Sequence, residues 1–341
     1  MHPGESIQAA IDAASPGATI MVEPGVYREA GTTRALTITQ KGIHLIGKAR
    51  PGQAVVLEQT GTQTQGIWVS PDDTLAPDDV ELPPCGVSGK RIAGFDLRGF
   101  TVQGFEGFGV YLACVDGFKI RGVTARADGT YSIFPVRSSH GRMTDNTASG
   151  TISDSCLYVG QDDHVVVEHN QATDCLIGLQ IENSSHVRFA HNVSRNNTAG
   201  MIVDVLNGRQ VKAIADNEVK DNVLADNNRP NTSTEPDTMG LLPGIGLVVD
   251  GADRTLVVGN TISGNSLAGV TLVDFCLERP DVCAGPIDVD PNPDDNRFVR
   301  NTFEGNALDV IYLPAKGTGN CFTRNKPSEL NVIGGPLPAC P

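Results

Sequence analysis

Short runs of alternating apolar residues recur along this chain at nearly constant spacing. The segments GVYLAC, SIFPVR, CLYVGQ, GLQIEN, GMIVDV, GLVVDG and GVTLVD begin at Gly109, Ser132, Cys156, Gly178, Gly200, Gly246 and Gly269. Their separations are 23, 24, 22, 22, 46 and 23 residues, the 46 being one repeat with a long insertion. A second series, Asn146, Asn170, Asn192, Asn222, Asn260 and Asn301, follows a short β-rich run in each repeat. A period in the low twenties with two or three short strands per repeat predicts a coil of stacked parallel strands. A leucine-rich repeat is the competing architecture, but LxxLxL spacing is absent and no helical segment falls inside the repeat. Parallel rungs stack about 4.8 Å apart, so each sequence column becomes a ladder of neighbouring side chains. Asparagine at a fixed column suits a bend, because it tolerates left-handed backbone and can hydrogen-bond along the stack.

A solenoid exposes its core at each end and needs caps. The opening GESIQAAIDAASPGATIMVEPGVYRE predicts a short amphipathic helix from about Ser6 to Ala14, then a first strand. The tail with Cys321 and Cys340 is expected to close the other end. The whole chain, 1–341, is expected to form one domain: a cap and first strand over 1–30, coils over 31–315 and a C-terminal cap over 316–341. Long insertions are expected at about Asn227 to Pro243 and Asp274 to Asn296.

The rungs SIFPV, LYVGQ and LQIENS, each followed by an apolar run and Asn, resemble the right-handed parallel β-helix, pectin-lyase-like superfamily. They look like the repeats of bacterial exported β-helix proteins, over nearly the whole chain. The resemblance implies an all-β solenoid. It does not imply one activity, since that superfamily spans polyuronate lyases, uronan epimerases, polygalacturonases, phage tailspikes and proteins with no known activity.

The formal charge is 26 − 40 = −14, which disfavours nucleic acid and anionic lipid as partners. A polyanionic substrate would need a local basic patch or a bound cation. There are eight cysteines and no CxxC pair, so a zinc ribbon is not expected. Cys276 with Cys283, and Cys321 with Cys340, bracket irregular segments and read as disulfides of an oxidising compartment. No apolar run reaches the roughly 18 residues of a membrane span. The opening MHPGESIQ shows no signal peptide and reads as a chain whose export signal has been removed, implying a secreted, periplasmic or cell-envelope protein.

Strand parity assigns faces. Val110/Leu112, Ile133/Pro135, Leu157/Val159, Leu179/Ile181 and Met201/Val203 point inward. One outward ladder is Tyr111, Phe134, Tyr158, Gln180 and Ile202; the next is Ala113, Val136, Gly160, Glu182, Asp204 and Asp250. An exposed aromatic ladder would form a sugar platform, and the insertions would wall a groove over it or cover it. Tyr111, Phe134, Gln161, Gln180 and Glu182 are the expected substrate contacts.

Asp162 and Asp163 follow one of these strands and admit two readings. Neighbouring rungs carry Ser138–Ser139 and Ser184–Ser185 there, which fits turn chemistry. Paired carboxylates also suit acid–base work or a cation. Five of the seven histidines fall in two columns: His140, His164 and His186, then His169 and His191. Stacked imidazoles suit copper or zinc, but the first column is also a bend where histidine is tolerated at positive φ. DVDPNPDDN, from Asp288 to Asn296, has the composition of a calcium loop without spaced ligands. The sequons at Asn183, Asn192, Asn196 and Asn231 arise easily in an Asn-rich repeat.

Two functions compete. The first is action on a uronic-acid polymer by β-elimination or C5 epimerisation. Arg137 would neutralise the substrate carboxylate, Tyr158 would give or take a proton, and His164 or His140 would be the base. Asp162, Asp163, Glu182 or Asp204 would hold Ca2+. GQDD resembles one polygalacturonase motif, but its companions NTD, GHG and RIK are absent, as is the DPHD motif of uronan epimerases. The second is a non-catalytic carbohydrate- or metal-binding solenoid of the cell envelope, with Cu or Zn at the stacked histidines. Across the two readings Asp162, Asp163, Asp204 and His186 are the metal candidates.

Overall fold

A computed structural model describes residues 1–39, 42–71, 85, 89–126 and 128–341. Each turn of the chain adds one short strand to each of three parallel sheets. Among the described residues the first sheet has eleven strands, from Thr19–Val22 to Cys321–Thr323. The second has ten, from Gly25–Tyr27 to Thr302–Glu304, and the third eleven, from Arg34–Ile38 to Val332–Ile333. Residues two dozen apart become neighbours, as expected: Tyr158 sits beside Gln180 in register, and its ring centroid lies 4.7 Å from that of Phe134. The fold is the expected all-β parallel β-helix.

Side-chain alternation builds the interior. Val110, Leu112, Leu157, Val159, Leu179, Ile181, Met201 and Val203 all lie in one continuous core. Complete burial of such a side chain contributes about 2 kcal/mol over leaving it in water. The β-branched residues suit these positions because they pack well on a pleated surface.

The asparagine column is a hydrogen-bonded spine. Asn146 donates from both its backbone N–H and its amide to Asn170 Oδ1, at 2.8 and 2.9 Å. The same paired contact runs through Asn192, Asn222, Asn260 and Asn301 to Asn325. The amide also donates to a carbonyl of the preceding rung, as from Asn222 to Phe189 O at 2.9 Å. The N–H at each of these bends lies outside the regular ladder, and the asparagine of the next rung supplies its acceptor. The left-handed geometry falls one position earlier than expected. Asp145, His169, His191, Asp221, Arg300 and Arg324 carry positive φ, whereas the asparagines do not. A second spine, Asn197, Asn227, Asn265 and Asn306, runs five residues downstream with the same spacings.

The N-terminal cap is helix Ile7–Ala13, inside the expected span. Ser6 caps it, its Oγ accepting from Ala9 N at 3.1 Å, while Ile7 and Ile11 plug the core. At the far end Cys321 bonds Cys340 as expected, and Cys276 bonds Cys283. Cys85–Cys114 and Cys156–Cys175 complete the set, leaving no free cysteine. The 46-residue gap holds two insertions rather than one. Residues 205–217 leave the coil after strand Ala199–Asp204, and residues 227–243 leave it after strand Val223–Ala225. A third insertion, 274–296, contains helices Phe275–Glu278 and Pro280–Cys283.

The spine makes a direct prediction. Asn222→Ala leaves Asn192 N–H buried without its partner and removes one of the donors to Phe189 O. It should lower unfolding free energy by about 1–3 kcal/mol in urea titrations monitored by circular dichroism. An unchanged midpoint would mean the spine is dispensable.

Candidate metal centre

At the bend from the third sheet into the first, Asp162 and Asp163 diverge. Asp162 turns inward and is 2% exposed. Its Oδ1 accepts from Ser138 N, and its own N–H donates to Ser184 Oγ at 2.9 Å. Ser138 Oγ in turn accepts from Val115 N at 3.0 Å. Ser138, Asp162 and Ser184 thus form another spine, and the turn reading holds for Asp162. Its carboxyl is pushed well above the usual range by burial. Asp163, next in the strand, points out.

His164 follows with φ of 57°, and His140 and His186 share that geometry at 51° and 56°. A left-handed residue interrupts strand alternation, so Asp163 and His164 both project to solvent. His164 Nδ1 lies 2.7 Å from Asp163 Oδ2, and His186 Nδ1, one rung on, lies 2.8 Å from Asp163 Oδ1. One carboxylate therefore bridges two imidazoles. Burial raises the Asp163 carboxyl, but the hydrogen bonds from His186 and His164 outweigh it and hold the group below the usual range. The rings of His164 and His186 stack with centroids 4.6 Å apart, and His140 follows at 5.5 Å from His164. His140 Nδ1 is held by Asp116 Oδ1 at 2.7 Å, a partner the sequence reading missed. The hydrogen bonds of His140 and Ser139 hold the Asp116 carboxyl below its usual range.

Asp163, His164 and His186 each present a donor atom within 4.8 Å of the others. All three are about half exposed. Asp162 and Asp204, also expected as metal candidates, are not part of this group. Asp162 is buried in its bend, and Asp204 lies on the outer face of the third sheet.

That outer face corrects another expectation. Parity is right, but Tyr111, Phe134 and Tyr158 are 0%, 4% and 3% exposed. With Trp68, Ala113 and Val136 they form a second apolar cluster instead of an open sugar platform. Farther along, Ile202 and Val248 pack with Leu241 of the 227–243 insertion. The 227–243 insertion covers this end of the face, because an outward stripe of aliphatic residues gains from leaving water. Tyr158 lies across Gly160, where a Cβ would stand 2.1 Å from its ring. Burial pushes the Tyr158 hydroxyl well above its usual pKa. Arg137 is also buried, and its Nε and Nη2 have no hydrogen-bond partner among the described residues. The expected catalytic set is therefore split: Arg137 and Tyr158 are covered, while His140 and His164 face solvent beyond the bend.

Glu182, Asp204 and Asp250 occupy one ladder on that covered face. Arg209, from the 205–217 insertion, pairs its Nε with Glu182 Oε1 at 2.8 Å. Gln180 Nε2 donates to Asp204 at 3.1 Å. Burial, then the neighbouring Glu182 charge, drives the Asp204 carboxyl well above its usual range. Gln161 Oε1 accepts from Gln210 N at 2.9 Å. Gln161 and Glu182 therefore anchor the 205–217 insertion, and Gln180 joins Ser155 to Asp204, rather than lining an open groove. Asp288 and Asp290 of the acidic loop bond Lys212 and Asn292 respectively.

These observations define a right-handed parallel β-helix protein with a carboxylate-bridged imidazole column on its surface. The chain belongs to the NosD family: the model described as "Periplasmic copper-binding protein (NosD)" matches residues 92–339. No curated protein matches it in sequence. Among solved structures it resembles the Azotobacter vinelandii mannuronan C-5 epimerase AlgE4 A-module. Identity is 17% and the TM-score 0.70, over 98% of this chain and 94% of that one. The periplasmic alginate epimerase AlgG gives 14% identity and a TM-score of 0.56, over 93% and 77%. DFA-IIIase from Arthrobacter chlorophenolicus A6 gives 13% and 0.56, over 98% and 92%. At these identities the likeness is one of fold. No helix among the described residues is long and apolar enough to cross a membrane.

Two predictions concern the covered face. Arg209→Ala strands a buried carboxylate at Glu182 and should cost about 3–5 kcal/mol of stability, read by urea denaturation; a loss under 1 kcal/mol would mean the pair is solvated. Asp154 accepts from Tyr131 Oη at 2.7 Å and Ser155 Oγ at 2.9 Å, yet burial pushes its pKa up to about 7. The folded state thus favours the protonated acid. Its contribution is complete below about pH 4 and falls as pH rises through about 7, by no more than roughly 4 kcal/mol. Asp154→Asn should flatten that decline in melting temperature between pH 4 and 8. A decline of equal size in the variant would assign it elsewhere.

Proposed function

We propose that this protein binds a copper ion at the cell envelope through His164 and His186, with Asp163 as third ligand or orienting carboxylate. The observation that carries this reading is the convergence of both imidazoles on one exposed carboxylate. The family description as periplasmic and copper-binding supports it. The donor set fits: imidazole with carboxylate suits divalent copper, and a carboxylate on one ring nitrogen fixes the tautomer and raises the basicity of the other. Three protein donors at an open surface leave positions for water or a partner's ligands. The site is therefore suited to exchanging its ion rather than burying it. Calcium fits poorly, since two of the three donors are nitrogen.

Binding can be tested by titrating Cu2+ into metal-free protein by calorimetry and electron paramagnetic resonance. A His2→Ala background removes any contribution from the amino-terminal histidine. His164→Asn with His186→Asn keeps a residue that tolerates left-handed backbone. This double variant should weaken the tight equivalent at least about 100-fold, and Asp163→Asn by about 10-fold or more. Unaltered affinity in the double variant would overturn the assignment.

A second reading is action on a uronic-acid polymer. It is favoured by a shallow cleft of about 310 Å³ on the first sheet, lined by Arg98, Lys119, Arg121, Arg142, Glu168 and His169. The epimerase titles of the structural neighbours agree with it. Incubation with mannuronan and pectate, following proton exchange at C5 and unsaturated-product absorbance, tests it. Absence of both signals on either polymer would remove it.

A further inference from the structure

The first-sheet strand Asp163–Glu168 carries a histidine at each end, His164 at its start and His169 just after it. The next strand, Arg188–Ala190, is likewise flanked by His186 and His191. The four imidazoles thus form two stacked pairs at opposite edges of the same two rungs. His169 and His191 are exposed, and their centroids lie 5.1 Å apart with rings within 8° of parallel. Among the described residues neither ring makes a hydrogen bond or ion pair, unlike the histidines of the first column, all held by carboxylates.

Backbone geometry does not explain this pair. The column requires positive φ, 59° at His169 and 55° at His191, but elsewhere the same bend is filled by Asp145, Asp221, Arg300 and Arg324. Histidine occurs there only on the two rungs that also carry His164 and His186. Both rings are free to turn about χ2, which brings a nitrogen of each toward a shared point. Asp145, itself paired with Arg121, precedes them in the ladder and Asp221 follows.

We infer that His169 and His191 form a second, imidazole-only site for a borderline transition-metal ion such as Cu2+ or Zn2+. With two protein ligands and no orienting carboxylate it binds more weakly than the Asp163 centre. Five residues of extended chain separate the two columns, about 16 Å. One face of the solenoid therefore carries a tight and a weak position side by side. This inference stands on a different pair of residues from the copper reading above, and either can fail alone.

The test is a Cu2+ and Zn2+ titration of the folded protein in the His2→Ala background, with equivalents counted by calorimetry and imidazole shifts followed by nuclear magnetic resonance. Wild type should show a tight and a weak step. His169→Asn with His191→Asn should abolish the weak step and leave the tight one. His164→Asn with His186→Asn should do the reverse. Circular dichroism of each variant should match wild type, since all four side chains are exposed. A titration in which loss of His169 and His191 removes no step, or a weak step that survives their loss, would overturn the second site. Loss of the weak step only together with the tight one would also overturn it, because the two would then be one centre.

Discussion

Hydrogen bonding from each turn of chain to the next holds the rest of the structure in place. Backbone ladders in three sheets set the rung spacing. The asparagine spines carry the same pairing through the bends, where regular ladders stop. In a buried bend an unpaired N–H or C=O costs about 1–3 kcal/mol, so one amide per turn has large leverage. Because register cannot slip, residues 22 positions apart, such as His164 and His186, meet at a fixed distance. The carboxylate-bridged imidazole pair is a by-product of that constraint: neither strand could bring two imidazoles to one carboxylate alone.

Left-handed residues do the second part of the work. At each bend one residue of positive φ breaks the in–out alternation and turns an extra side chain outward. Where that residue is Asp, Arg or Gly the result is an ordinary polar corner. On three successive rungs it is His140, His164 and His186, and the corner becomes a donor column. Asp162 and Asp163 show how sharply parity divides neighbours. One carboxylate is locked into a spine, and the next bridges two histidines.

Most of the fold could be read from the chain because a β-helix is written in local repeats. The rung spacing, the inward Leu–Val and Ile–Val pairs, the helix after Ser6 and two disulfides all follow from one-dimensional pattern. What covers the coil could not be read that way. Parity gives the direction of Tyr111, Phe134 and Tyr158 but not whether an insertion lies over them. Arg209 and the 205–217 insertion were hidden inside the 46-residue gap. The second asparagine spine was legible, since Asn197, Asn227, Asn265 and Asn306 repeat the separations of Asn192, Asn222, Asn260 and Asn301. The Asp116 contact to His140 was not, because it depends on side-chain rotamers.

Shared architecture with sugar-modifying enzymes and membership of a copper-binding family meet on the same scaffold, and surface chemistry decides between them. Here the outer aromatic face is closed and the imidazole column is open. Anomalous diffraction at the copper edge, from crystals grown with Cu2+, tests that claim most directly. The account predicts a peak bonded to imidazole nitrogens of His164 and His186 beside Asp163. Copper held elsewhere, with this column free of metal, would contradict it.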